Sequence, residues 1–344
     1  MESAVSKISS PDNELKRNVF TFDPQDYVAD YVKNGYVLVK NGVDPDFLEV
    51  AKAQAAMQEE NHKDMESWHF KGKKRQYLYD FEEWDFYGQG YETLALTAGL
   101  PPEKLKLCER HIKVYESEAK SHVPPHKDRV AAELTVGLPL VIPEGSHVVL
   151  WPENVTDVNP LNSTALYRLS LDEKDLPENI LDGIEPVRLY ADPGDVLLFR
   201  GNSLYHEREK PADTSVLYLK FNAMDLDPIG EDPSTVLQQE TSQKLLSEND
   251  DQALLDLVVR VSPKLERISR HYTRLYWKEV IQVYVGGEEE FTISELELQA
   301  FKKAEGGKTV REVIVSLGIS RSELLEHVPM IRRLASLKGL DITT

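Results

Sequence analysis

The sequence predicts a mainly β core with flanking helices, followed by a small α-helical domain at the C-terminal end. Short apolar or alternating runs of strand type recur between about residues 103 and 227. From residue 234 the apolar residues recur at helical spacing, and from residue 292 short helical patterns alternate with turns. These observations divide the chain into a β core, a helical region and a small terminal domain.

Changes in composition set the domain bounds. Residues 1–18 are polar and charged and predict a disordered start, and residues 19–230 form the β domain. The Asp-Pro pairs at 227–228 and 232–233 mark the end of that domain. Residues 231–288 are predicted to be a helical linker region, within which residues 275–285 indicate a strand or a buried helix. The remaining part, 289–344, is the terminal domain.

The terminal domain resembles a winged-helix domain. Thr309 and Ser320 each precede a helical pattern with a glutamate three residues on, which is the pattern of a capping box. Many winged helices bind DNA, but the predicted second helix, residues 322–327, is not strongly basic. We therefore favour dimerisation or docking of a partner as its role.

Composition predicts a cytoplasmic protein that neither spans a membrane nor binds nucleic acid. The net charge of −19 repels a nucleic-acid backbone, so nucleic-acid binding is not expected. No run of about eighteen apolar residues predicts a membrane span, and residues 1–18 lack the apolar segment of a signal peptide. The one cysteine, Cys108, excludes an intramolecular disulfide and fits a reducing compartment. Glu109 beside it disfavours a nucleophilic thiolate.

Two histidines and an aspartate are the side chains best suited to hold a metal. His126-Lys127-Asp128 follows two prolines that favour an extended backbone, and residues i and i+2 of an extended chain point the same way. His206 follows a turn at residues 192–195 and an apolar strand-type run at residues 196–199. Two imidazoles and one carboxylate form the facial triad of non-haem Fe(II) oxygenases. The alternative to a metal site is a surface turn that carries an ordinary pair of charged residues.

The same tripeptide occurs a second time, as His62-Lys63-Asp64. This copy follows a polar-faced helical pattern at residues 46–60, and residues i and i+2 of a helix diverge. We assign the earlier copy to a solvated helix end.

The stretch from about residue 34 to residue 225 resembles the Fe(II)/2-oxoglutarate dioxygenase superfamily. Residues 34–43, followed by a helix, are similar to the opening segment of phytanoyl-CoA-dioxygenase-like members. Trp151-Pro152 and residues 193–197 are similar to segments of cupin-like Jumonji-C hydroxylases, although His147 stands where those carry an anchoring lysine. The resemblance implies a double-stranded β-helix of jelly-roll or cupin type.

The resemblance also implies the cofactors and the reaction. His126, Asp128 and His206 would hold Fe(II), with 2-oxoglutarate as cosubstrate and O2 as oxidant. An aspartate in the third position of the motif accompanies hydroxylation, whereas halogenating members carry a small residue there. Asp128 therefore argues against halogenation.

The cation that would hold the outer carboxylate of 2-oxoglutarate is missing from its usual place. Many members carry an arginine about ten residues after the distal histidine, and residues 211–216 contain no cation. On the next predicted strand Lys220 is the first choice for the anchor, because burying a lysine without a carboxylate partner is costly. The alternative is a strand-end lysine whose stem reaches solvent.

The alternation of side-chain direction along two predicted strands indicates further candidate residues of the pocket. Tyr218, Lys220 and Asn222 share one face of residues 216–222, and His111, Lys113 and Tyr115 share one face of residues 111–115. We expect Tyr115, His111, Tyr218 and Asn222 to wall the pocket and Lys113 to be the alternative anchor. The competing interpretation is an ordinary polar sheet face.

The function predicted from these residues is hydroxylation of an unactivated C–H bond in an amino-acid-like or carrier-tethered small molecule, giving succinate and CO2. A cupin-type hydroxylase of protein side chains is the first alternative. The others are a metal-binding cupin that does not use 2-oxoglutarate, a non-enzymatic adaptor, and a DNA-binding regulator.

Overall fold

The computed structural model describes residues 17–61, 74–81, 83–119, 124–152, 157–274, 277–286 and 289–344. The second copy of the tripeptide, His62-Lys63-Asp64, lies outside these ranges, as do residues 1–16 of the predicted disordered start.

The strands, in chain order, are β1 (Tyr36–Val39), β2 (Lys74–Leu78), β3 (Lys106–Tyr115), β4 (Leu134–Val141), β5 (His147–Trp151), β6 (Val187–Leu189), β7 (Val196–Phe199), β8 (Tyr205–Glu209), β9 (Ser215–Asn222), β10 (Val258–Val261), β11 (Leu265–Thr273), β12 (Lys278–Val285), β13 (Glu289–Ile293), β14 (Lys308–Thr309) and β15 (Leu340–Thr343). The helices are α1 (Val28–Asn34), α2 (Pro45–Asn61), α3 (Tyr91–Ala98), α4 (Thr164–Ser170), α5 (Pro177–Ile180), α6 (Pro233–Glu248), α7 (Asp251–Leu254), α8 (Glu295–Ala304), α9 (Val310–Ser316) and α10 (Leu324–Ser336).

Two antiparallel sheets face each other and form the core of the first part of the chain. The larger has the order β1-β7-β4-β9-β3-β2, and the smaller has the order β6-β5-β8. Their inner faces meet where Val148 and Leu150 of β5 pack with Leu197 and Phe199 of β7. Two facing antiparallel sheets are the arrangement of a jelly roll.

Helices cover the outer face of the larger sheet. Along β9 the alternation of the sequence is seen directly, because Leu217, Leu219 and Phe221 point outward into the main hydrophobic cluster. Phe47 of α2 and Leu94 of α3 belong to the same cluster. The predicted mainly β core with flanking helices is thus confirmed.

The interpretation of residues 231–288 as helical was wrong for β10 and β11, whereas the strand alternative for residues 275–285 agrees with β12. The helical spacing is followed through α6 and α7, but β10, β11 and β12 come next. In β10, Val258 pairs with Thr343 and Val261 pairs with Leu340, at the far end of the sequence. Valines fit a pleated strand well, and a short apolar run does not reveal its period until its distant partner is known.

The terminal part of the chain has its own hydrophobic cluster, which runs from Leu246 to Ile342. It therefore begins well before residue 289, where the sequence places the domain bound. Thr309 caps α9 with a complete capping box, as predicted. Ser320 bonds Glu323 through its hydroxyl, but α10 begins only at Leu324. The winged-helix likeness and the docking role stay predictions.

The junction between the two parts is buried. Asp227 and Asp232, each followed by a proline, are both fully enclosed, at 0% and 3% exposure. Asp232 accepts hydrogen bonds from the hydroxyl of Tyr91 and from the backbone N–H of Leu107, each at 2.9 Å. It also caps α6 by accepting from the N–H of Ser234. The composition change therefore marks a buried polar joint.

None of the helices in the described ranges has both the length and the apolar character that crossing a membrane requires.

Candidate metal centre

The structure brings His126, Asp128 and His206 together at the edge of the smaller sheet. His126 lies beside β8, and its backbone exchanges two hydrogen bonds with that of His206, at 3.0 and 2.9 Å. One ligand atom from each of the three side chains lies within 4.8 Å of the others. The i and i+2 positions of an extended segment thus converge with a distant strand, as the spacing predicts.

Backbone carbonyls orient both imidazoles. Nδ1 of His126 lies 3.2 Å from the carbonyl oxygen of Pro124, and Nδ1 of His206 lies 3.0 Å from that of Leu204. Because a carbonyl oxygen only accepts, each Nδ1 carries the proton and each Nε2 keeps a lone pair. Nε2 of His206 is 3.7 Å from Oδ2 of Asp128. This is the tautomer that a metal ligand needs, and the sequence alone did not identify these two partners.

The charge state of the cluster also suits a cation. Burial, together with the neighbouring His206, lowers the pKa of His126 to about 3, and burial lowers the pKa of His206 as well. Burial acts to raise the pKa of Asp128, but the charge and the hydrogen bond of Lys220 outweigh it and hold that pKa far below its usual value. At neutral pH the cluster therefore presents two neutral imidazoles and a carboxylate.

The metal-free protein should lose stability as the pH falls from 6.5, the ordinary pKa of histidine, towards the value of about 3 for His126. The unfolded chain takes up protons in this range that the folded chain refuses, so the free energy of unfolding falls by about 1.4 kcal/mol per pH unit for each such histidine. Denaturant unfolding at a series of pH values with a chelator present measures the slope. The double variant His126→Gln, His206→Gln should flatten it. An unchanged slope in that variant would contradict the assignment.

Asp128 is held by two side chains. Nζ of Lys220 donates to Oδ1 at 2.8 Å, and Oγ1 of Thr135 donates to Oδ2 at 3.0 Å. Lys220 also lies 3.5 Å from Oε2 of Glu109. Burial lowers the pKa of Lys220, but Asp128 and Glu109 raise it by more, so the ammonium stays charged. The carboxylate partner that a buried lysine requires is thus a candidate metal ligand.

A cavity of about 480 Å³ reaches His126 and Asp128. Lys113, Lys220 and Arg129 supply cations to its lining, and helix α4 contributes Tyr167 and Arg168. Such a volume lies within the range of small-molecule sites. The cluster is therefore accessible from a pocket of suitable size.

The predicted pocket residues lie in other places. Among the described residues, the cavity lining includes Lys113 but not His111, Tyr115, Tyr218 or Asn222. His111 pairs with Glu231 at 2.6 Å, and Asn222 holds the following turn by donating to the carbonyl oxygen of Leu226. Tyr115 is buried.

Arg208 is a residue that the sequence reasoning missed. It lies two positions after His206 on β8, and its guanidinium donates to the hydroxyl of Tyr218 at 3.0 and 3.2 Å and to Ser146 at 3.3 Å. The signal was available, because residues i and i+2 of a strand share a face. The expected place for the anchor, residues 211–216, does not include position 208.

Lys127, between two candidate ligands, lines the same cavity. Its ammonium donates to the carbonyl oxygen of Asp157 and lies 4.7 Å from the ring centre of Tyr205, the residue before His206. This contact also joins the two ligand-bearing segments. Burial raises the pKa of the Cys108 thiol to about 12, so the thiol stays protonated, as its surroundings in the sequence suggested.

The fold and the site together define a jelly-roll protein with a candidate mononuclear metal centre of two histidines and one aspartate. No family model and no curated protein matches the sequence.

Several solved structures are similar at a low level. The epimerase SnoN in complex with Fe3+, alpha ketoglutarate and nogalamycin RO is 17% identical, with a TM-score of 0.45, over 57% of this chain and 83% of that chain. A Pseudomonas putida prolyl-4-hydroxylase is 12% identical, with a TM-score of 0.41, over 58% and 98%. HygX from Streptomyces hygroscopicus, with nickel, 2-oxoglutarate and hygromycin B bound, is 10% identical, with a TM-score of 0.41, over 60% and 89%. At these TM-scores the functional assignment depends on the geometry of the site.

Proposed function

We propose that this protein is an Fe(II)/2-oxoglutarate-dependent oxygenase that hydroxylates an unactivated C–H bond of a small molecule. The observation that carries the proposal is the convergence of two Nε2 lone pairs and one ionised carboxylate, with His126 and Asp128 lining a cavity. Each Nδ1 is engaged by a backbone carbonyl, so the donor atoms are already oriented. Of the similar solved structures, SnoN is in complex with Fe3+ and alpha ketoglutarate, and HygX is in complex with nickel and 2-oxoglutarate.

In this proposal His126, Asp128 and His206 hold Fe(II). The bound iron, with 2-oxoglutarate and O2, supplies an oxidant able to attack a C–H bond, with succinate and CO2 as coproducts. The chain itself orients the ligands, positions the substrate and limits access of water. A carboxylate at position 128 fits hydroxylation and not halogenation, since the superfamily that the sequence resembles has a small residue there in halogenating members.

A cation is needed for the outer carboxylate of 2-oxoglutarate, and Lys220 is our first choice. It is buried, charged and in the cavity lining. Lys113, which pairs with Glu109 at 2.7 Å, is the alternative named from the sequence. Arg208 lies outside the cavity lining, and it is a third candidate because a guanidinium can pair with a carboxylate through two hydrogen bonds.

The cavity favours a small-molecule substrate, amino-acid-like or carrier-tethered, over a protein side chain. Its volume of about 480 Å³ is suited to a compact molecule. Five cationic side chains line it, and Glu109 adds an anion beside them: Lys113, Lys127, Arg129, Arg168 and Lys220. A substrate with at least one carboxylate or phosphate group fits this lining.

Anaerobic titration of the purified protein with Fe(II) in the presence of 2-oxoglutarate tests the proposal. We expect the weak visible metal-to-ligand charge-transfer band of an iron–2-oxoglutarate chelate. Separate titrations of metal and of 2-oxoglutarate in Lys220→Met, Lys113→Met and Arg208→Met then identify the anchor. The variant of the true anchor weakens binding of 2-oxoglutarate by more than it weakens binding of the metal.

Two other outcomes separate the alternatives. Metal binding without the band would favour a cupin that does not use 2-oxoglutarate. No metal binding at all would defeat the proposal and leave an adaptor or regulator.

A further inference from the structure

We infer that Thr135 is a positioning residue for the metal ligand Asp128, and that position 201 must be glycine for Thr135 to act. This inference concerns the same site and therefore rests on the proposed metal-binding function. It assigns a role to two residues that neither the ligand pattern nor the cavity singles out.

The starting observation is a row of side chains across four neighbouring strands of the larger sheet. Thr135 of β4 is paired with Phe199 of β7 on one side and with Lys220 of β9 on the other, and Lys220 is paired in turn with Glu109 of β3. Residues paired directly across strands point to the same face of a sheet. We call Phe199, Thr135, Lys220 and Glu109 the floor row.

Three side chains of the floor row each contact a candidate metal ligand. The ring of Phe199 lies edge-on to the ring of His206, with ring centres 4.7 Å apart. Thr135 donates to one oxygen of Asp128 and Lys220 donates to the other. Three neighbouring strands thus each contribute one contact to a candidate ligand, either His206 or Asp128.

Asp128 needs such partners because its own rotamer does not fix the carboxylate. Rotation about the Cβ–Cγ bond of aspartate is broad, so the plane of the two oxygens is set by hydrogen bonds. The backbone N–H of Asp128 donates to the carbonyl oxygen of Gly201 at 2.8 Å, which fixes the main chain. The bonds from Thr135 and Lys220 then fix the side chain. Without the Thr135 hydroxyl, the ammonium of Lys220 is left to draw the carboxylate towards β9.

Glycine at position 201 makes the Thr135 contact possible. A Cβ atom at this position would lie 2.1 Å from Oγ1 of Thr135 and 2.8 Å from Oδ2 of Asp128. It would also lie 3.0 Å from the backbone carbonyl oxygen of Ala132, which cannot move away easily. Real contacts of this kind do not occur below about 3 Å. Any side chain at position 201 would therefore displace the hydroxyl, the carboxylate or both.

The test is the metal affinity of variants at the two positions, measured anaerobically with Fe(II) and, for its visible spectrum, with Co(II). Thr135→Val keeps the shape and removes the donor, and we expect a 10- to 100-fold weaker metal affinity, the usual effect of losing an outer-shell partner. Thr135→Ser restores the donor and should restore the affinity to within about threefold of the original protein. Gly201→Ala should weaken the affinity at least as much as Thr135→Val does, and both should change the Co(II) spectrum.

Thr214→Val is the matched control. Thr214, directly before β9, is also fully buried, but its hydroxyl forms a hydrogen bond with Ser146 and not with a metal ligand. Thr214→Val should change thermal stability without changing metal affinity, and thermal melts of all the metal-free variants show whether each one folds. Wild-type affinity in folded Thr135→Val would overturn the inference, whereas absence of metal binding in the unmodified protein would overturn the proposed function instead.

Discussion

Replacing His206 by alanine is expected to abolish high-affinity metal binding and, with it, the charge-transfer band and any oxygenase activity. Three protein ligands make up the proposed site, and their donor atoms lie within 4.8 Å of one another. Loss of a ligand should weaken metal affinity by more than the roughly 100-fold that loss of an outer-shell partner causes. Calorimetric titration under anaerobic conditions measures the change.

His147→Ala is the control for that experiment. His147 is equally a buried strand histidine of the smaller sheet, but it is stacked on Tyr190 and pairs with Glu209 at 3.2 Å. We expect its loss to leave metal affinity unchanged. Equal metal affinity in His206→Ala and the unmodified protein would show that the cluster does not bind the metal.

Replacing Asp232 by alanine is expected to destabilise the protein by about 3 kcal/mol, since two buried donors and a helix cap lose their acceptor together. The donors are the hydroxyl of Tyr91 and the N–H of Leu107, each 2.9 Å from the carboxylate. For a chain of 344 residues the melting temperature should fall by roughly 4 °C. Thermal and denaturant unfolding of the purified variant measure both quantities.

Asp250→Ala is the matched control for Asp232→Ala. Asp250 also caps a helix, α7, by accepting from the N–H of Ala253, but it is exposed to solvent. Its loss should therefore cost about 1 kcal/mol or less. If the two variants were equally stable, the buried joint between the β core and the terminal part would not be a source of stability.

Much of the β core could be predicted because its signals are local. The alternation of residues 216–222 placed Leu217, Leu219 and Phe221 on the face that packs against helices. The spacing of His126 and Asp128 on an extended segment was enough to make the two side chains converge. Periodicity and backbone direction are properties of a few neighbouring residues, so they can be read without the fold.

The strands of the terminal part could not be predicted in the same way. The run at residues 254–261 fits a helix as well as a strand, and β10 forms because Leu340 and Thr343 of β15 pair with it. Position 208 was passed over for a related reason. The resemblance directs attention to residues 211–216 for the anchor. Arg208 instead shares a face of β8 with His206 and bonds the hydroxyl of Tyr218.

By itself, the sequence determined which side chains can hold a metal and which faces of the core strands are apolar. Only the tertiary structure decided what holds those ligands in place. Lys220 is 92 residues from Asp128 along the chain, and Gly201 is placed beside Thr135 by a loop between β7 and β8. The physical reason is that a hydrogen bond to a buried carboxylate requires donor and acceptor atoms about 3 Å apart. When those atoms belong to different strands, the pairing register sets the distance, and the local sequence pattern does not.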